Sequence, residues 1–174
     1  MVSENTLFKV RFGVIGTSSI VDKVLEGAKL DSRFELVAAY SRTQERAEQF
    51  ARKYNILHTF TSLEDMASSP LIDAVYIASP NSLHASQSIL FMNHGKHVLC
   101  EKPFASNARE VKEMLAASER NNVTLMEAMK PTLTPNFFAI KNNLEEIGII
   151  RRSFSCYCQY YSRYDFLKAG VVLN

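Results

Sequence analysis

Short runs of consecutive apolar residues alternate along this chain with stretches in which apolar side chains recur every three or four positions. "VRFGVI" (10–15), "FELVAAY" (34–40), "DAVYIAS" (73–79), "HVLC" (97–100) and "VTLMEA" (123–128) are of the first kind and read as strands. "DAVYIAS" is apolar at successive positions, as expected of a strand covered on both faces. Between these runs lie helical patterns, the first over about residues 19–29. In the second, Ala47, Phe50, Ala51 and Tyr54 fall at i, i+3, i+4 and i+7 and share one face. "HTFTSLEDM" allows a short strand and a short helix. A helix over about 82–93 carries Leu83, Ile89 and Leu90 towards the core and meets Gly95 as its C-terminal cap. Asn107 and Glu110 have capping-box spacing ahead of a helix expected to bury Val111, Met114 and Leu115. Strands alternating with helices predict an α/β fold, a doubly wound parallel sheet with right-handed crossovers.

Beyond Pro131 the pattern changes. "TPNFFAIKNNLEEIG" reads as a helix ending at Gly148, and in "RRSFSCYCQYYSR" the residues Phe154, Cys156, Cys158 and Tyr160 alternate with polar positions. A period of two marks a strand covered on one face, and one strand cannot bury its own face. The expected organisation is therefore a nucleotide-type α/β domain over 1–128 and, over 129–174, the start of an incomplete α+β domain.

A net charge of +2 with no run of like charges gives no electrostatic reason to expect nucleic acid or an anionic membrane. No apolar run approaches a membrane span, and the N-terminus lacks a signal peptide's apolar core. Three cysteines make no disulfide framework; Cys156 and Cys158 read as small apolar side chains. A reducing cytoplasm is the default expectation.

Ligands of an open parallel sheet bind beyond the carboxyl ends of its strands. Those ends hold Gly16-Thr17-Ser18-Ser19, Ser41-Arg42-Thr43, Ser79-Pro80-Asn81 with His84 one turn on, Glu101-Lys102-Pro103, and Glu127-Ala128. Against the dinucleotide pattern G-x-G-x-x-G the first loop presents Gly16, Ser18 and Val21. Gly16 allows the tight turn, and the following helix offers free N–H groups to a phosphate. Ser18 replaces the glycine that lets backbone approach a pyrophosphate, and Val21 predicts looser helix–strand packing. Alone, the loop is equally a phosphate site or a plain βα turn. The second strand ends without the carboxylate that reads the ribose of NAD; Ser41 and Arg42 suit the extra phosphate of NADP, unless Arg42 is simply solvated. Lys102 is either an ordinary surface lysine or a donor to a substrate oxygen during hydride transfer. His84, His94 and His97 lie at separate edges and do not predict a metal site; His84 instead predicts a lining residue of the cofactor cleft.

With "GKHVLCEKPFA" (95–105) the pattern becomes specific. Together with "FGVIGTSSI", "YSRT", "YIASPNSLHA" and "MEAM", in this order over about residues 9–130, the chain resembles the glucose–fructose oxidoreductase (Gfo/Idh/MocA) family of NAD(P)-dependent dehydrogenases. The resemblance implies a Rossmann-type domain. It assigns Gly16, Thr17, Ser18 and Ile20 to the dinucleotide loop, Ser41 and Arg42 to the adenosine ribose with Arg42 as NADP selector, and Ser79, Pro80, Asn81 and His84 to the loop beside the cofactor. Glu101 and Lys102 would lie by the nicotinamide, Lys102 as catalytic lysine, with a cis peptide before Pro103. It also implies NADP (alternatively NAD) as cofactor, no metal, a sugar, polyol or cyclic diol as substrate, and homo-oligomers through the second domain's sheet. Because that domain supplies the family's substrate pocket, this chain is expected to be inactive alone. The alternative is a non-catalytic NADP-binding or regulatory module.

Overall fold

The computed structural model describes residues 8–151. The alternation expected over Phe154–Tyr160 lies outside the described residues. Within them, six strands form one sheet: β1 (Val10–Ile15), β2 (Phe34–Tyr40), β3 (His58–Phe60), β4 (Ala74–Ile77), β5 (His97–Cys100) and β6 (Leu125–Glu127). Every neighbouring pair is parallel, and the order is β3-β2-β1-β4-β5-β6. The chain thus winds outward from β1 in one direction and returns to continue from β4 in the other. The crevice between the ends of β1 and β4 is the switch point at which such sheets bind ligands.

Five helices connect the strands: α1 (Ser19–Ala28), α2 (Gln44–Tyr54), α3 (Leu63–Ser68), α4 (His84–Asn93) and α5 (Ala108–Asn121). The period of two splits each central strand between two cores. Val14, Ala39 and Tyr76 join Val21 and Leu25 of α1 and Phe50 and Ala51 of α2 on one face. Ile15, Ala38, Val75 and Ile77 join Met66 of α3, Phe91 and Met92 of α4, and Met114 and Ala117 of α5 on the other. Val21 is fully enclosed in the first of these cores.

Two helix faces differ from their sequence pattern. A 3-10 turn over Asn81–Leu83 precedes α4, which buries His84, Ala85, Gln87, Ser88, Phe91 and Met92; Leu83 is exposed and Ile89 and Leu90 are half-buried. In the half of α4 that reads as polar, "HASQS", all but Ser86 lie inward, with His84 and Gln87 bonded to the loops beneath. In α5 the buried line runs through Met114 and Ala117, so Leu115, one position off that line, is exposed. The caps match expectation: Asn107 accepts from the Glu110 N–H, and Gly95 follows α4 at φ 73°. After β6 come a 3-10 turn (Lys130–Leu133), α6 (Pro135–Asn142) and α7 (Leu144–Ile147), so the helix expected to run unbroken to Gly148 is interrupted at Asn143. No described helix is long and apolar enough to cross a membrane.

Candidate active site

The loop after β1 turns on Gly16, at φ 106°. A Cβ there would sit 2.5 Å from the carbonyl oxygen of Ala78, which follows β4. The turn is therefore packed against the neighbouring strand's exit at a distance that excludes side chains. Thr17, Ser18 and Ile20 are exposed on its outer side. Ser18 is the N-cap of α1 in position but makes no side-chain capping hydrogen bond; the Val21 N–H bonds to the Ser18 carbonyl at 3.0 Å, which leaves the Ser18 hydroxyl and the N–H groups of Ser19 and Ile20 for an anion.

At the end of β2, Ser41 is nearly buried and its N–H bonds to Phe60 of β3. The next residue, Arg42, is exposed, and Thr43 caps α2 by accepting from the Arg46 N–H. Arg42 and Arg46 line an open cleft of about 660 Å³ together with Thr43, Glu45 and Gln49. Neither guanidinium is in an ion pair among the described residues, whereas Arg11, Arg33, Arg52 and Arg109 all are. Arg42, just before the N-cap, and Arg46, in the first turn of α2, are thus two unpaired cations beside a helix N-terminus, an arrangement whose charge suits an anion. Arg46 is not singled out by the sequence pattern; its place in the first turn of α2 brings it to the same cleft as Arg42.

Beyond β4, Ser79 donates its hydroxyl to the buried amide oxygen of Gln87 at 2.6 Å. Pro80 and Asn81 lead into the 3-10 turn, Pro80 exposed and Asn81 half-buried. His84 is only 1% exposed, with Nδ1 2.8 Å from the Pro103 carbonyl oxygen and Nε2 3.0 Å from that of Ser79. It lies beneath the two loops and not on the wall of the cleft. His94 and His97 bond elsewhere: His94 Nδ1 to the Leu90 carbonyl, and His97 Nδ1 accepts the Thr124 N–H.

The loop after β5 is clasped by two carboxylates. Glu101, nearly buried, accepts the Lys102 N–H at 3.1 Å through one oxygen and the Tyr76 hydroxyl at 2.7 Å through the other. Glu127, at the end of β6, accepts the Phe104 N–H at 3.1 Å. Burial and the Glu101 carboxylate together push the Tyr76 phenol far above its ordinary range, so it remains a donor. Burial likewise pushes the Cys100 thiol up to about 12, which makes it an apolar side chain and no nucleophile. The Lys102–Pro103 peptide is cis. Lys102 itself is exposed, and its ammonium has no ion pair among the described residues. The two carboxylates hold the backbone of this loop while the Lys102 side chain is exposed beyond the end of β5. Tyr76 and Gln87 have no motif to announce them. A phenol or amide in an otherwise apolar run needs a buried partner, and that is their only signal.

The description "Oxidoreductase family, NAD-binding Rossmann fold" (GFO_IDH_MocA) matches residues 10–129. The scyllo-inositol 2-dehydrogenase (NADP+) IolU of Bacillus subtilis is 56% identical over 95% of this chain and 50% of its own length. The trans-1,2-dihydrobenzene-1,2-diol dehydrogenase of Danio rerio is 36% identical over 69% of the chain and 37% of its own length. Among solved structures, the 3-ketoreductase KijD10 of Actinomadura kijaniata, in complex with NADP and TDP-benzene, superposes with a TM-score of 0.73 at 27% identity, covering 79% of this chain and 42% of that one. The chain spans about half the length, or less, of the relatives it matches.

Proposed function

As the chain belongs to the GFO_IDH_MocA oxidoreductase family with its NAD-binding Rossmann fold, we propose that it is the dinucleotide-binding half of an NADP-dependent dehydrogenase acting on a secondary alcohol of a polyol or cyclic diol. The bound cofactor supplies hydride chemistry. Gly16, Thr17, Ser18 and Ile20 receive the pyrophosphate at the α1 N-terminus, and Ser41, Arg42 and Arg46 receive the 2′-phosphate. The loops through Ser79, Pro80, Asn81, Glu101 and Lys102 flank the nicotinamide. The dehydrogenases of inositol and of a cyclic diol among the relatives support the substrate class. On this reading the substrate pocket and the oligomeric contacts would come from the counterpart of the relatives' remaining length, and residues 1–174 alone would be inactive.

The observation that carries this reading is the Lys102 loop. Two carboxylates hold its backbone at the carboxyl end of β5 while the exposed ammonium has no ion pair among the described residues. A lysine so held can hydrogen-bond the alcohol oxygen and take up or return its proton as hydride leaves carbon. In a version carrying the counterpart of the relatives' second half, Lys102→Met should lower turnover by about two to four orders of magnitude. NADP affinity should stay nearly constant, since the phosphate contacts lie elsewhere. Ordinary turnover by that variant on a polyol its parent oxidises would remove Lys102 from the reaction, and robust turnover by residues 1–174 alone would show that the site is complete.

A further inference from the structure

We infer that His84 is a positioning residue: it ties the loop after β4 to the loop after β5 and so sets where Lys102 stands relative to the Ser79–Asn81 wall. What those loops hold rests on the function proposed above; the tie itself rests on geometry.

The other contacts of segment 102–104 come from its own side of the sheet. Glu101, which continues β5, takes the Lys102 N–H, and Glu127 of β6 takes the Phe104 N–H. The remaining polar backbone group at the centre of this segment is the Pro103 carbonyl, and His84 meets it at 2.8 Å. The opposite edge of the same ring meets Ser79 O at 3.0 Å. Ser79 in turn is held by Gln87, one turn further along α4. The first turn of α4 is thus a bracket across the two loops, and His84 is the member that spans them.

The residue type suits the task. An imidazole is rigid and carries nitrogens on opposite edges, so one short side chain addresses two carbonyls from different strands. The neutral ring has one N–H and serves one of them at a time; the doubly protonated ring serves both. At 1% exposure the ring cannot itself reach a ligand, so its effect passes through the loops.

Two substitutions separate the two ends. His84→Asn leaves an amide donor near the place of Nδ1, towards Pro103; His84→Gln leaves one near the place of Nε2, towards Ser79. Amide hydrogen exchange of the 174-residue chain reads each loop. Lys102 and Phe104 N–H report one, and the Leu83 N–H, bonded to Pro80 O at 2.9 Å, reports the other. Losing one of these bonds should speed exchange about three- to tenfold. His84→Asn should speed Leu83 and spare Lys102 and Phe104; His84→Gln should do the reverse. His84→Leu should speed all three, and if it fails to fold the Asn and Gln pair still decides. The same rate changes in both loops for Asn and Gln, or none in either, would reduce His84 to a packing residue and overturn the inference. An NADP titration of the unmodified chain runs alongside. Absence of binding there would count against the proposed function and leave the exchange result to judge the tie.

Discussion

Gly16→Ala and Gly27→Ala, eleven positions apart, should move stability in opposite directions. At Gly16 the new Cβ would meet the Ala78 carbonyl oxygen at 2.5 Å and its carbon at 2.9 Å. That carbonyl cannot simply retreat, because the Ala78 N–H is bonded to Ile15 O at 2.8 Å in continuation of the β1–β4 ladder. Backbone at φ 106° costs an alanine about 1–3 kcal/mol. Forcing an atom into filled space costs about 1–3 kcal/mol more. Together the loss is about 2–6 kcal/mol, a large part of the roughly 5–15 kcal/mol that holds such a domain. Gly27 lies inside α1 with nothing within 4 Å of its would-be Cβ. Alanine there removes unfolded-state entropy and should stabilise by about 0.4–1 kcal/mol. Equilibrium urea unfolding checks both, read as a shift of midpoint at constant m value. A Gly16→Ala chain that loses less than about 1 kcal/mol would refute the close approach of loop and strand. A Gly27→Ala chain that loses stability would refute the open helix surface.

Arg42→Ala should lower NADP affinity by about 1.5–3 kcal/mol and leave NAD affinity nearly unchanged, with Arg46→Ala acting in the same direction; calorimetric titration of both cofactors measures the ratio, and an unaltered ratio in both variants would remove the arginine pair from cofactor choice. For pH, three carboxyls among the described residues lie below their ordinary range: Asp22 through bonds from Tyr54 and then Lys53, Asp73 through Arg11, and Asp31 at about 2 through Arg33. Their folded values lie below their unfolded ones, so the stability they contribute is present above about pH 4 and is lost as pH falls towards about 2. The urea midpoint should fall steadily over that window, by a modest amount because the pairs are solvent-screened; a flat midpoint would show that these pairs contribute nothing.

Legibility in the sequence follows the physics of each element. Strands covered on both faces are unbroken apolar runs, so "DAVYIAS" and "HVLC" stand out without reference to their partners. The strand-end loops then fall in order along one edge, which is why Gly16, Arg42, Asn81 and Lys102 can be named before any coordinates. The helix faces are harder. Leu83 attracts a core assignment by its side chain, yet the 3-10 turn carries it outward, while Gln87 goes in because it accepts the Ser79 hydroxyl from the loop that α4 covers. Pattern also assigns His84 to the cleft by its neighbours in sequence, whereas its burial comes from two carbonyls in different loops, one of them nineteen residues away. Partnerships of that range, like Tyr76 with Glu101, leave no periodic trace.

The carboxyl edge of the sheet also has an electrical direction. Arg42 and Arg46 stand at the β2 end, and the carboxylates Glu101 and Glu127 at the β5–β6 end. Three strand spacings, roughly 14 Å, separate β2 from β5. At the β5 end the exposed Lys102 ammonium offsets those two carboxylates, whereas Arg42 and Arg46 stand in no ion pair among the described residues. A long ligand with phosphate charge at one end therefore gains most when that end lies over β2. Reversing the charge of the arginine pair would consequently do more than weaken binding: it would remove the preference for that orientation.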